Sequence, residues 1–488
     1  MTEVFSFLTG QPAAEHRPWP RLVVTEETWS RTAERLGRGT LSLLGLWGEA
    51  DRVHMAVADA SEAAAIRVIT LGCPDGCYPS VARQHAPAMR LERAAADLFG
   101  LRPEGLPDTR PWLDHSAPDY SFLPVDGEYL HEVPVGPVHA GIIEPGHFRF
   151  TADGETVVRL EARLGYTHKG LEHLLRGATL DRAARLAGRC SGDSTVAYAL
   201  AFAQAVEAAL GWTPPPRAVW LRALMAEMER LANHLGDVGA ICNDAAFAIM
   251  LANCSALREA VLREAATSFG HRLMMDRVVP GGVSTDLDPG GGPRIASLAA
   301  ETRRRFRPLI ALYEKTASLL DRTVGTGFLR PALAQQFGAG GYVGRASGRS
   351  CDARLWPGYA PYPALNFEAP VLTDGDVHGR LWLRVLEIEQ SLQLISQIVV
   401  LLPQGPIRSD PPTPPGATAE GMALVEGFRG DVLAWLRIEA DGRIGRCHLR
   451  DPSWFQWPLL EAAIEGNIIA DFPLCNKSFN CSYSGADL

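Results

Sequence analysis

A polar set runs through AEMERLANHLGDVGAICND, where Glu227, Glu229, Arg230, His234, Asp237 and Asp244 recur at half-turn to one-turn spacings on a predicted helix. Arg230 and His234 stand four apart, the separation at which helical side chains meet. Charges facing a bundle interior are costly unless paired, so this set reads first as ion pairs and second as proton-handling groups. The same two readings apply to Arg345, Asp352, Asp376, Arg380, Arg384, Glu387, Glu426, Arg429 and Asp431.

The thiols are less suggestive. Nine cysteines behind a start with no basic region and apolar run imply a reduced, intracellular chain. Cys73 and Cys77 sit in a turn with Pro74 and Gly76 between them and no second pair to complete a ligand set. Cys242, Cys254, Cys351, Cys447 and Cys475 read as ordinary buried small residues. No spacing matches an iron–sulfur set.

The elements that must position these groups fall into two units. In residues 1–125, Arg21 to Val24, Val53 to Val57 and Ile66 to Leu71 read as strands and Ala88 to Phe99 as a helix, an α+β domain. A Pro-, Asp- and Gly-dense stretch from Pro107 to Pro134 should wrap over a surface. Residues 126–488 open with a hairpin about Asp153-Gly154. They continue as a mainly helical domain with small β-sheets: helical runs over Gly170 to Gly211, Pro216 to Arg277 and Arg303 to Gly325, then a hairpin beyond Ala419. The second run is too long for one average helix, and Gly236, Gly239 or Gly270 should mark breaks or close crossings. A net charge of −9 argues against a general nucleic-acid surface. Leu386 to Pro403 and Ala201 to Leu210 are too polar or too short to span a membrane. No glycine-rich phosphate turn follows a strand, so NAD(H) chemistry is expected in another subunit.

Several phrases together carry a family resemblance. GPVHAGIIEPGHFRF (Gly136 to Phe150), LGYTHKGLEHL (Leu164 to Leu174), MERLANHLGDVGAICND (Met228 to Asp244), HRLMMDRVVPGGV, RASG (Arg345 to Gly348) and DPSWFQWPLLEAAIEGNIIADFPLCNKSFN (Asp451 to Asn480) resemble the large subunit of group 4 membrane-bound [NiFe] hydrogenases and the 49-kDa-type subunit of complex I. YPSVARQHAPAMRLERAAADLFGL (Tyr78 to Leu101), with Pro107, Asp108 and Arg110, resembles the 30-kDa-type subunit, fused ahead of it. The resemblance implies a peripheral subunit on the cytoplasmic side of the membrane, held there by partners. It implies an iron–sulfur small subunit with a [4Fe–4S] cluster, a ferredoxin-like cluster subunit, and antiporter-like and other integral membrane subunits.

Hydrogenases of this kind hold nickel and iron through two CxxC pairs, since soft thiolates suit both metals. Matched to those motifs, this chain has Ala187 and Cys190 at the first pair and Ser482 and Gly485 at the second. Cys190 is the one ligand position retained. Ser194 stands where the motif has histidine. Cys481 lies one residue early, which on a helix turns a side chain by about 100°. No bound metal and no cofactor held directly by this chain are expected. The ending SYSGADL is closer to complex I, and no processing step is expected there.

The quinone-using relatives place a tyrosine at the position of Tyr166, with His168 and Glu172 beside it. There a phenol donates to a quinone carbonyl and a histidine resupplies the proton; Tyr166 as a structural hydrogen-bonding residue is the competing reading. His139 matches the first histidine of the opposing loop, and His147 is out of register for the second. Glu144 resembles the hydrogenase residue that passes protons, a partly buried carboxylate with a raised pKa; its alternative is an ion pair that fixes the loop. Arg345 completes the candidate set. Three readings follow. The first is a core subunit that couples electron transfer to conformational change or to ion or proton movement, with a quinone as possible acceptor. The second is an inert scaffold joining the small subunit to the membrane arm. The third is a true hydrogenase, which the lost thiolates disfavour.

Overall fold

The computed structural model describes residues 3–60, 65–116 and 120–488. In the first unit a five-stranded sheet runs in the order Gln11–Ala13, Arg21–Val24, Ile66–Gly72, Arg52–Asp59, Leu41–Glu49. Only the second and third of these strands are parallel to each other, so the sheet is not a doubly wound nucleotide fold. Thr25 caps the helix Glu26–Gly37, with Glu26 and Glu27 in its first turn where the helix dipole favours them. The helix Met89–Phe99 packs on Leu41–Glu49 and stops at Gly100, whose φ of 69° is left-handed.

Short strands and helices then give way to a bundle built on Thr195–Leu210, Pro216–Asp244, Ala248–Phe269, Gly291–Lys315 and Val377–Leu401. The expected helical run from Gly170 to Gly211 is three helices, Leu171–Leu175, Leu180–Ala187 and Thr195–Leu210. The next run breaks at residues 245–247, where Ala246 has φ 62°, and not at a glycine. Gly239 instead marks a close crossing, because a Cβ there would come within 2.9 Å of the Cys254 Cβ. Gly270 caps the second helix. None of the described helices is long and apolar enough to cross a membrane.

Strands Ala419–Gly427, Gly430–Ile438 and Ile444–Arg450 form an antiparallel meander. The helix Thr195–Leu210 lies directly on its first strand. Ala197, Ala201 and Ala205, spaced four apart, give that helix a flat small-residue face. The approach is so close that a Cβ at Gly421 would sit 1.9 Å from the Ala205 carbonyl oxygen. A separate hairpin, His147–Asp153 with Thr156–Arg163, gains a third strand, Leu130–Val135, which the turn-rich composition around it concealed. Its Pro134 is tolerated on an edge strand.

The two units meet across a dry seam. His16–Arg17 pairs in parallel with Ala419–Gly427, and Trp47, Ala56 and Val68 share a core with Met422, Leu433 and Trp435. Trp47 stacks on both His54 and His448, with ring centroids 5.4 and 5.2 Å away. The seam includes Glu172, which bonds His448 at 2.6 Å and Arg446 at 2.8 Å. Glu172 therefore serves the sheet seam and does not act beside Tyr166.

Candidate functional site

The turn after Leu180–Ala187 and the start of the terminal helix Tyr483–Asp487 come together. Ser482 caps the terminal helix by accepting from the Gly485 N–H at 2.9 Å, and its Oγ lies 2.8 Å from Ser191 Oγ. Gly485 leaves no room for a side chain, since a Cβ would stand 2.5 Å from Asp451 Oδ2. That carboxylate accepts from the Tyr198 hydroxyl at 2.6 Å. Cys190 is fully buried, and burial pushes its thiol up to about 12, against the opposing pull of the Tyr198 hydroxyl bond. Ala187 is buried, as is Cys481, whose thiol burial also pushes up. Among the described residues, no group of three or more His, Cys, Asp or Glu is placed to hold a metal ion.

A second layer lies over the same terminal helix. Asp487 accepts from Gly165 N at 2.8 Å and from Thr167 N and Oγ1 at 2.9 and 2.6 Å, clamping the turn that carries Tyr166. His168 Nδ1 lies 2.7 Å from the Asp487 carbonyl, which can only accept. The proton is therefore on Nδ1, and Nε2 of this exposed ring is left as an acceptor. Tyr166 is 36% exposed, packs edge-on against His115 at 4.6 Å, and has its pKa raised by partial burial. His139 lies between the Pro137 carbonyl at 3.2 Å and the Tyr483 hydroxyl at 3.3 Å. Glu144 is exposed on its loop, not partly buried as expected, and accepts from Ser484 N at 3.0 Å. Its neighbours Val138 and Ile142 are also exposed, the latter completely. Tyr166, His168, His139 and Glu144 are thus gathered on one short helix.

Arg345 is not part of this group. It is 0% exposed, bonds Glu387, reaches Glu426 at 2.9 Å and lies 3.3 Å from Asp352. Arg354 bridges Asp352 at 2.7 Å and Glu227 at 3.0 Å. The expected Arg230–His234 pair does not form. His234 Nε2 bonds Glu387 at 2.6 Å, while Arg230 donates to the carbonyls of Glu426 and Gly427. Glu229 instead accepts from Val196 N and Ala197 N at the start of a helix.

A polar chain runs from Ser191 to Arg384. Ser191 bonds Asp193 at 2.9 Å, and both Asp193 oxygens accept from Arg429 at 2.7 Å. Arg429 also donates to the Asn480 carbonyl, and Asn480 donates to Asp237, which pairs with Arg384 at 3.2 Å. Asp193, Asp451, Asp487, Tyr198 and Tyr483 are the members that reading by motif missed. They come from three separate segments of the chain: Asp193 and Tyr198, Asp451, and the terminal helix with Tyr483 and Asp487.

Comparison with known proteins agrees with this architecture. Residues 244–416 match the family described as respiratory-chain NADH dehydrogenase, 49 Kd subunit. The chain is 32% identical over 438 residues to formate hydrogenlyase subunit 5 of Escherichia coli, covering 84% of this chain and 77% of that one. It is 31% identical to the carbon monoxide-induced hydrogenase of Rhodospirillum rubrum, covering 72% and 97%. It is 29% identical to the fused C/D polypeptide of the NADH-quinone oxidoreductase of Bacteroides fragilis, covering 71% and 65%. Among solved structures, a chain of the membrane-bound sulfane sulfur reductase, an archaeal respiratory membrane complex, superposes with a TM-score of 0.70 at 26% identity, covering 75% of this chain and all of that one. The chain belongs to the family of fused 30-kDa/49-kDa-type complex I subunits and group 4 membrane-bound [NiFe] hydrogenase large subunits.

Proposed function

We propose that this chain is a core peripheral subunit of a membrane-associated, complex I-like oxidoreductase that couples electron transfer in a neighbouring subunit to conformational change or to ion or proton movement, without a nickel–iron centre of its own. The observation that supports this reading most is the chemistry now filling the former ligand site. A methyl at Ala187, a capping hydroxyl at Ser482 and a hydrogen at Gly485 stand beside one buried, protonated thiol at Cys190. Such a donor set does not suit two soft metals. Purified protein should accordingly lack stoichiometric nickel and the infrared bands of iron-bound cyanide and carbon monoxide. Finding both, with hydrogen turnover lost in Cys190→Ala, would overturn the reading.

The polar layer over the terminal helix is where this chain's own residues could act. The Tyr166 phenol is a donor for a carbonyl oxygen such as that of a quinone, and the exposed His168 ring is the candidate to resupply its proton. His139 is the second candidate contact for a quinone, and Glu144 is the candidate proton relay at the loop edge. The expected partners are an iron–sulfur small subunit, a ferredoxin-like cluster subunit and antiporter-like membrane subunits, with the chain on the cytoplasmic side. The discriminating measurement is turnover of the intact complex with candidate acceptors in Tyr166→Phe and Glu144→Gln, with assembly checked in parallel. Large losses in assembled mutants are expected. Unchanged activity in both leaves the chain as a scaffold between the small subunit and the membrane arm.

A further inference from the structure

Beneath that polar layer the interior holds a cluster whose charges do not cancel. Its carboxyls are Glu227, Asp352, Glu387 and Glu426, and its guanidinium groups are Arg230, Arg345 and Arg354. Four acids against three bases leave one negative charge over, in residues that are all buried. The adjoining cations do not serve these carboxyls: Arg384 pairs with Asp237, which Lys477 also reaches at 3.6 Å, Arg450 pairs with Asp431 and Arg429 with Asp193, while buried Arg380 bonds the Ser478 hydroxyl and the Gly375 and Gly327 carbonyls. An uncompensated buried charge is expensive enough that a group takes up a proton instead.

Hydrogen bonding decides which group. His234 already uses Nε2 on Glu387, and its buried Nδ1 has no partner. A neutral ring leaves only a lone pair unmatched there, whereas a charged ring would leave an N–H donor stranded. Glu387 is held by Arg345 and His234, with Arg230 within 3.9 Å. Glu227 has Arg354, the Tyr362 hydroxyl and the Ser391 hydroxyl, and Asp352 has both Arg354 and Arg345. These three are fully served as carboxylates. Glu426 is the exception. Its Oε1 shares one Arg345 nitrogen with Asp352, and its Oε2 accepts only the Ala353 amide.

We propose that Glu426 is a proton-binding site, a buried carboxyl that takes up and releases the one proton the cluster needs. Binding forms an O–H bond on the carboxylate, release returns the proton to water, and no electron moves. Burial and the neighbouring Asp352 push this carboxyl from its ordinary 4.5 to about 7, against the pull of Arg345 and Arg230; Asp431 on the next strand adds to the rise. The site occupies a consequential place. Arg230 grips the Glu426 and Gly427 carbonyls, and two residues on, Arg429 reaches Asp193 and the former ligand site. Glu426 titrates in this way whatever Tyr166 binds.

Infrared titration of the purified full chain from about pH 5 to about pH 9 tests it, because a protonated carboxyl has its own carbonyl stretch, sensitive to deuterium. The expected result is a protonated-carboxyl band that disappears around neutrality and is missing in Glu426→Gln. Glu229, Glu92 and Glu420 are the necessary controls, since burial raises the first to about 8 and the other two to about 7, and the component assigned to Glu426 is the one that Glu426→Gln alone removes. A neutral-range band lost in Glu229→Gln and kept in Glu426→Gln overturns the proposal. So does the absence of any such band in the unmutated protein, which needs no variant to fold. Persistence of the band in Glu426→Gln with nitrogen shifts showing a charged His234 would move the proton to the histidine and equally overturn it.

Discussion

The layer around Tyr166 and the cluster around Arg345 are both dense in ionisable groups, yet they use them in opposite ways. Around Tyr166, side chains at the surface hold the backbone and side chains of one short terminal helix, and they keep free atoms such as His168 Nε2 and the Tyr166 hydroxyl edge toward solvent. Around Arg345, the charged groups are buried and are held by one another and by backbone carbonyls and amides. Charge alone therefore says little about chemistry. Exposure leaves a group available to a substrate at small structural cost, while burial commits it to its partners and makes its removal expensive.

The sharpest way to break this contrast is Arg345→Met. It strands Glu387, Glu426 and Asp352 without their shared cation and should cost about 3–5 kcal/mol in chemical denaturation. A loss under about 1 kcal/mol would mean the cluster is wetter than its burial implies. Acid should act on the seam between the units next. Burial holds the fully enclosed His54 down at about 4, against the hydrogen bond to Glu49 that favours its charged form. Between the ordinary 6.5 and 4 the unfolded chain binds a proton that the folded chain refuses, so stability falls as pH drops. This group should account for about 2 kcal/mol between neutrality and pH about 5, and denaturation of His54→Gln should show a correspondingly flatter profile.

Smaller effects mark the boundary between the two regions. Ser482→Ala removes the cap of the terminal helix and its bond to Ser191, and should cost about 1 kcal/mol in the same assay. A much larger loss would place Ser482 with the buried cluster. Tyr166→Phe should change stability by less than about 0.5 kcal/mol, as for other surface changes that remove no partner. A clear loss of stability would show that Tyr166 is structural, and the turnover effect proposed for it would need another explanation.

Much of this was legible along the chain. Three of the five strands of the first sheet, the hairpin at Asp153-Gly154 and a hairpin beyond Ala419 are written in alternation and turn residues, whereas Gln11–Ala13 and Leu41–Glu49 were not. The family phrases located the two stretches that close on Ser191 and Ser482. Less was legible where a long-range contact overrode a local signal. The strand Leu130–Val135 lies in a proline- and glycine-rich setting, and the break at Ala246 falls on a residue with no breaking tendency.

The sequence by itself determined the main element types and the family, because those are properties of residue identity and spacing. Only the tertiary structure decided what each charge does. Arg230 and His234 are neighbours on a helix, but both turn to Glu387 on another one, with Arg230 also reaching the Glu426 and Gly427 carbonyls of a distant strand. Glu144 read as a partly buried acid and is exposed, while Glu426 sits among like charges with too few donors. The physical reason is that a charged group's state is set by solvent access and by every partner within a few ångströms, and those partners come from segments that only the fold brings together.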